Sequence, residues 1–148
     1  MNKDLMFSSE SSEWETPDEF FDILDMEYNF QVDLAASESN KKCNLFFSQE
    51  DNALDKVWSL YHGYLWLNPP YGKTIKDWVE KCDEQAQQGA KIIALLPART
   101  DTRWFHNHIY KKYEVKFLKG RLKFLLNGEM QNAAPFPSML VIFEKKNK

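Results

Sequence analysis

At 148 residues, 43% hydrophobic and 15% aromatic, the chain can bury one sizeable core and has no length left for a second domain. Met1 to Ser12 is polar, without the apolar stretch of a secretion signal, and no later run approaches membrane-spanning length, so the expected location is the cytoplasm, away from membranes. A net charge of −3 is awkward for a chain that would bind nucleic acid, but overall charge does not decide it, because basic residues gather late, at Lys111, Lys112, Lys116, Lys119, Arg121 and Lys123.

The expected organisation is a polar segment over 1–13, one domain over 14–144 and a basic tail over 145–148. Thr16-Pro17-Asp18-Glu19 opens the first helix with a capping hydroxyl, a proline at the first helical position and a carboxylate three residues after the cap. Phe20, Ile23, Leu24 and Tyr28 form its expected apolar stripe. Residues 30–34 read as a strand, 45–47 as a short second one and 64–67 as a buried third. The spacing of Ile75, Trp78, Val79, Cys82 and Ala86 predicts a helix over 74–88 that Gly89 stops. A buried strand over 92–96 ends at Pro97, and a helix over 101–110 carries Trp104, Phe105, His108 and Ile109. Strands over 115–118 and 138–143 follow, and the segment between them, with Asn127-Gly128, reads as loop. This alternation predicts an α/β fold, a mostly parallel sheet with helices on both faces.

Cys43 and Cys82 lack metal-like spacing and read as core thiols. His106 and His108, two apart on a helix, point to different sides and cannot form a helical zinc pair, so no metal is expected.

The most informative residues are Asn68-Pro69-Pro70-Tyr71, directly after the apolar run Tyr64-Leu65-Trp66-Leu67. A double proline cannot continue a strand, so the chain leaves the sheet at the asparagine. An amide, a carbonyl free of strand partners and an aromatic ring then stand at a carboxyl strand edge, where ligands bind in open α/β sheets. Such a cluster suits attack by an exocyclic amino nitrogen. That nitrogen is a poor nucleophile because its lone pair is delocalised into the ring. Two fixed acceptors, the Asn68 side-chain oxygen and the Pro69 carbonyl, could hold its two hydrogens out of plane and return density to nitrogen. Tyr71 would stack on the base, which must first be swung out of a duplex.

Asn68-Pro69-Pro70-Tyr71 resembles the catalytic tetrapeptide of amino-group methyltransferases that use S-adenosylmethionine, and the wider chain is similar to the small phage-type, Dam-like DNA adenine-N6 methyltransferases. The likeness runs from Trp14 to about Phe143. It includes Trp14-Glu15-Thr16-Pro17, Asp33-Leu34-Ala35-Ala36, Leu96-Pro97-Ala98-Arg99-Thr100-Asp101-Thr102 with Trp104-Phe105-His106, Gly120-Arg121-Leu122-Lys123-Phe124, and Ala133-Ala134-Pro135-Phe136-Pro137-Ser138. It implies a Rossmann-like class I methyltransferase fold with a C-terminal antiparallel strand, S-adenosylmethionine as cofactor and DNA as partner.

The same resemblance implies that Thr16 and Pro17 lie where the methionine end of the cofactor is held, with Asp33 near the same moiety and Trp14, Ala35 and Asn68 as further cofactor-binding residues. From the residues alone, Thr16 and Glu19 are equally well explained as a capping box. Asp33 is the firmer cofactor candidate, because an acid ending an apolar strand needs a partner there. Glu50 and Asp51 follow Asp33 by 17 and 18 positions, near the offset at which an acid meets ribose hydroxyls. Arg99 and Thr102 follow a strand end, and with Lys119, Arg121 and Lys123 they are the expected nucleic-acid contacts, the basic run having a solvated face as its other reading. Methyl transfer to an RNA base or a protein glutamine amide, or a non-catalytic nucleic-acid binder on the same fold, are the alternatives.

Overall fold

The computed structural model describes residues 14–146; the polar segment over 1–13 and the end of the basic tail lie outside it. Five strands form one sheet in the order β1-β2-β3-β7-β4, namely β1 Val32–Asp33, β2 Tyr64–Leu67, β3 Lys91–Pro97, β4 Glu114–Phe117 and β7 Ser138–Phe143. β1 and β2, and β2 and β3, pair in parallel; β7 pairs antiparallel with both β3 and β4. The sheet is therefore mixed: four strands share one direction and the C-terminal strand alone runs against them, as the expected antiparallel last strand does. The last strand reverses direction and inserts between two that do not, so half the neighbouring pairs are antiparallel.

Residues paired across strands share a face. Val32, Leu65, Ile92 and Phe143 thus line one side, and Asp33, Trp66, Ile93 and Ile142 the other. Helix α1 (Asp18–Tyr28) covers the second side through Phe21, whose ring centroid lies 5.4 Å from that of Trp66. Helix α2 (Ile75–Gln87) belongs to the first side. Tyr113, with its ring 5.0 Å from Phe143, donates its hydroxyl to Asp83 of α2 at 2.6 Å. Helices on both faces were expected, and both are there.

Several elements depart from expectation for local reasons. In α1 the buried seam runs through Phe21 (4% exposed), while Ile23 is 69% exposed. Phe20-Phe21 and Ile23-Leu24 are apolar doublets, so periodicity permits two seams, and the aromatic partners Phe30 and Trp66 select the one through Phe21. The strand expected over 45–47 is a single bridge between Asp33 and Phe46. It ends where Ser48 turns, its amide and hydroxyl both given to the Asp51 carboxylate at 2.9 and 3.0 Å. The stretch expected as loop contains a hairpin, β5 (Leu125–Leu126) and β6 (Glu129–Met130). Asn127 and Gly128 both adopt positive φ, 53° and 81°, as a two-residue hairpin turn requires.

Helix α2 buries two polar residues, and each ties a neighbouring segment down. Gln85 accepts the amides of Trp58 and Ser59 at 2.8 and 3.2 Å. Asp83 accepts Tyr113 Oη, His108 Nδ1 and Lys112 Nζ at 2.6, 2.8 and 2.7 Å. Burial alone would raise the Asp83 carboxyl, but Lys112, Tyr113 and His108 together outweigh it and hold it below the ordinary carboxylate range. Helix α3 (Arg103–His108) is shorter than expected and starts at Thr102, whose hydroxyl accepts the Phe105 amide at 3.3 Å.

Candidate active site

The carboxyl ends of β1 and β2 open onto a cavity of about 790 Å³. Of the residues expected to hold cofactor or base, Trp14, Thr16, Asp33, Ala35 and Glu50 line it, as do Asn68, Pro69 and Pro70. Pro17, Asp51 and Tyr71 do not.

Asn68 follows the last residue of β2, and the two prolines after it have no amide hydrogen to extend the ladder. Its side-chain nitrogen donates to the Trp14 carbonyl and, at 3.1 Å, to Thr16 Oγ1. A carbonyl only accepts, so the Trp14 oxygen dictates which end of the carboxamide faces it. The other end, Oδ1, is buried with no hydrogen-bond partner among the described residues. Buried carbonyls are rarely left so, and this one belongs to a residue that lines the cavity.

Thr16 is spared for this contact because it does not cap a helix. The cap position of α1 is Pro17, no side chain caps it, and Glu19 is exposed, so the expected capping box is absent. The Thr16 side chain turns instead to Asn68. The backbone of its neighbour Glu15 exchanges two hydrogen bonds with Leu125 of the hairpin, at 2.9 and 2.8 Å. Glu15 Oε1 also accepts the Gly128 amide at 3.0 Å. The segment that pins the carboxamide is thus itself clamped.

Beneath the cavity lies an aromatic box. Trp14 meets Phe124 and Phe136 edge-on at centroid distances of 5.6 and 5.4 Å, and Tyr71 meets the same two rings at 6.2 and 5.5 Å. Tyr71 is 7% exposed, its hydroxyl donates to the Leu95 carbonyl at 3.0 Å, and burial pushes its titration far above the ordinary phenol value. The ring expected to stack on a base is therefore packed in the core against Phe124 and Phe136 and does not line the cavity.

Asp33 is 3% exposed. Its oxygens accept the amides of Ala35 at 3.2 Å and Lys42 at 3.0 Å. Burial pushes the carboxyl up to about 6, and the Lys42 and Ala35 amides pull against that rise. Glu50 presents an exposed carboxylate to the cavity, whereas Asp51 is consumed by the Ser48 turn, whose amide and hydroxyl hold it below its ordinary value. The wall also includes Asn40, Lys42 and Trp78, which the sequence reading did not single out. Trp78 carried only a core signal, the helical stripe it shares with Val79 and Cys82. Asn40 and Lys42 sit in a polar loop that offers no periodic signal at all.

The expected nucleic-acid contacts divide. Lys119, Arg121 and Lys123 are exposed on the segment between β4 and the hairpin, with Arg121 Nη1 donating to the Ala134 carbonyl at 3.2 Å. The Arg99 guanidinium is exposed and lies 5.9 Å from the Phe136 ring centroid, at the edge of the aromatic box. Thr102 is engaged at both ends of its hydroxyl, donating to the Arg99 carbonyl at 2.8 Å and accepting from Phe105. His106 and His108 face different partners, the Thr100 carbonyl and Asp83. Among the described residues no group of His, Cys, Asp or Glu is arranged to hold a metal ion, and no helix is long and apolar enough to cross a membrane.

A family model described as DNA N-6-adenine-methyltransferase (Dam) matches residues 5–148. A DNA N-6-adenine-methyltransferase of Escherichia phage T1 is 36% identical over 116 residues, covering 78% of this chain and 48% of the relative, so this chain spans about half the length of that protein. Another of the same name, from Haemophilus phage HP1, is 28% identical across 99% of this chain and 86% of its own length. The chain belongs to the DNA N-6-adenine-methyltransferase (Dam) family.

Proposed function

We propose that this chain transfers a methyl group from S-adenosylmethionine to the exocyclic amino nitrogen of an adenine swung out of DNA. The observation that carries the reading is Asn68 itself, which lines the cavity, whose Oδ1 is buried with no hydrogen-bond partner among the described residues, and whose other end is held by Thr16. That oxygen is an acceptor without a donor, and adenine N6 brings two hydrogens. With Oδ1 taking one and the Pro69 carbonyl the other, the amine is held out of conjugation with the ring and its lone pair becomes available. No side chain is assigned as a base, because the methylated amine can release its proton to water. Tyr71, with Phe124 and Phe136, supports this turn from below.

The residues present fit the cofactor. The cavity is of small-molecule size, and its wall holds the buried carboxyl of Asp33, a group suited to a cationic partner. The loop after β1, Leu34-Ala35-Ala36, lacks the glycines of phosphate-binding turns, and this cofactor has no phosphate to cradle. Trp14, Asp33, Ala35 and Glu50 would hold it, with Asp33 toward its ammonium group. When bound, it supplies an electrophilic methyl on a sulfonium centre. The sheet order, with the chain's last strand antiparallel between β3 and β4, supports a Rossmann-like class I methyltransferase arrangement. The exposure and charge of Lys119, Arg121, Lys123 and Arg99 support their meeting phosphate. A labelled-methyl assay offering DNA, RNA and protein tests the reading. Label recovered as N6-methyladenine in DNA is expected. Label in RNA or protein alone would move the acceptor, and label in none would leave a binder.

A further inference from the structure

We propose that Thr16 is a positioning residue that sets the orientation of the Asn68 carboxamide, a role distinct from helix capping and from cofactor contact. It rests on the methyl-transfer reading for its consequence, but on geometry alone for its substance. Thr16 is buried one residue before Pro17, the cap position of α1, and no side chain among the described residues caps that helix. Thr16 Oγ1 instead accepts Asn68 Nδ2 at 3.1 Å, across 52 residues of sequence.

The Trp14 carbonyl supplies the second anchor on the same nitrogen. Two acceptors on Nδ2 fix the carboxamide plane, where one would leave it free to rotate about a single contact. That rotation would carry Oδ1 away from the position in which it meets the amine. The antiparallel bridge of Glu15 to Leu125 holds both anchors in register, so the fixed plane is a property of the resting protein. Preorganisation of this kind raises turnover without strengthening the binding of either substrate.

The test compares Thr16→Val, which keeps the shape and removes the acceptor, with Thr16→Ser, which restores it. Two readouts are taken on the full chain. In ¹⁵N-labelled protein without ligands, the Asn68 side-chain NH₂ pair, identified by its loss in Asn68→Ala, should shift toward the position of a free amide in Thr16→Val and return in Thr16→Ser. In the methylation assay kcat should fall about tenfold in Thr16→Val, with cofactor affinity by titration within about twofold of the parent and most of the rate recovered in Thr16→Ser. An unmoved NH₂ pair in folded Thr16→Val overturns the proposal whether or not the protein methylates DNA. A loss of cofactor affinity that parallels the loss of rate overturns it in favour of direct cofactor contact. A parent protein that transfers no methyl counts against the functional reading alone, since the amide signal still decides the role of Thr16.

Discussion

Replacing Asn68 by alanine separates catalysis from stability. In the resting protein the carboxamide makes two hydrogen bonds through Nδ2 and leaves Oδ1 buried and unpaired. The two bonds contribute about 1 kcal/mol each, while an unsatisfied buried acceptor costs roughly 1–3 kcal/mol. Removing the amide also leaves the buried Thr16 hydroxyl without this donor, so the terms offset only in part and Asn68→Ala should destabilise by no more than about 2 kcal/mol, read from denaturant titration. Turnover should behave differently. Removing a preorganised polar group aimed at the reacting atom costs about 10²–10³ in kcat, measured as labelled methyl entering DNA at saturating cofactor. Cofactor affinity should hold, because the lost oxygen serves the acceptor. Turnover within tenfold of the parent would refute the role of the amide. A loss of several kcal/mol in stability would refute the view that the carboxamide is held for chemistry at little net benefit to the fold.

Tyr71 yields the opposite pattern. Tyr71→Ala should lose about 3–5 kcal/mol of stability by emptying the aromatic box, and Tyr71→Phe about 1 kcal/mol through the bond to the Leu95 carbonyl; thermal unfolding of both checks this. Asp33 makes stability depend on pH. Its folded titration near 6 lies above the ~3.9 of a free aspartate, so its contribution is complete below about 4 and is lost as pH rises through 6. Asp33→Asn should therefore gain on the parent in unfolding midpoint between pH 4.5 and 7.5, and a difference constant across that window would sink the argument. Asp33→Asn should also weaken cofactor binding, whereas Asp51→Ala, whose carboxylate closes the Ser48 turn, should leave it unchanged in calorimetric titration. Charge reversal at Lys119 and Arg121 should lower DNA affinity and reduce the slope of log affinity against log salt by about 2; an unaltered slope would place the phosphates elsewhere.

What was legible in the sequence was what local physics decides alone. The apolar runs ending at Leu67 and at Pro97, the run through Phe143, and the stripe from Ile75 to Ala86 each bury as their patterns require, because no competing register satisfies them. Where two local solutions were nearly equal, the tertiary partner chose. The seam of α1 was decided by Phe30 and Trp66, and the hairpin at Asn127-Gly128 was hidden because its strands are two residues long. The site divides along the same line. Asn68 stood out because two prolines force the chain out of the sheet beside it, a purely local constraint. Tyr71 shares that motif, yet a turn away from the strand returns its hydroxyl to the Leu95 carbonyl on β3, and no adjacent residue announces that path. Thr16 is the hardest case. Its neighbours Pro17, Asp18 and Glu19 spell a complete capping motif, so the local explanation was sufficient and the contact with Asn68 was invisible. A satisfied local explanation can conceal a functional residue, and what uncovers it is the accounting of hydrogen bonds. The cap is missing where it was expected, and the hydroxyl is found where an amide needs holding.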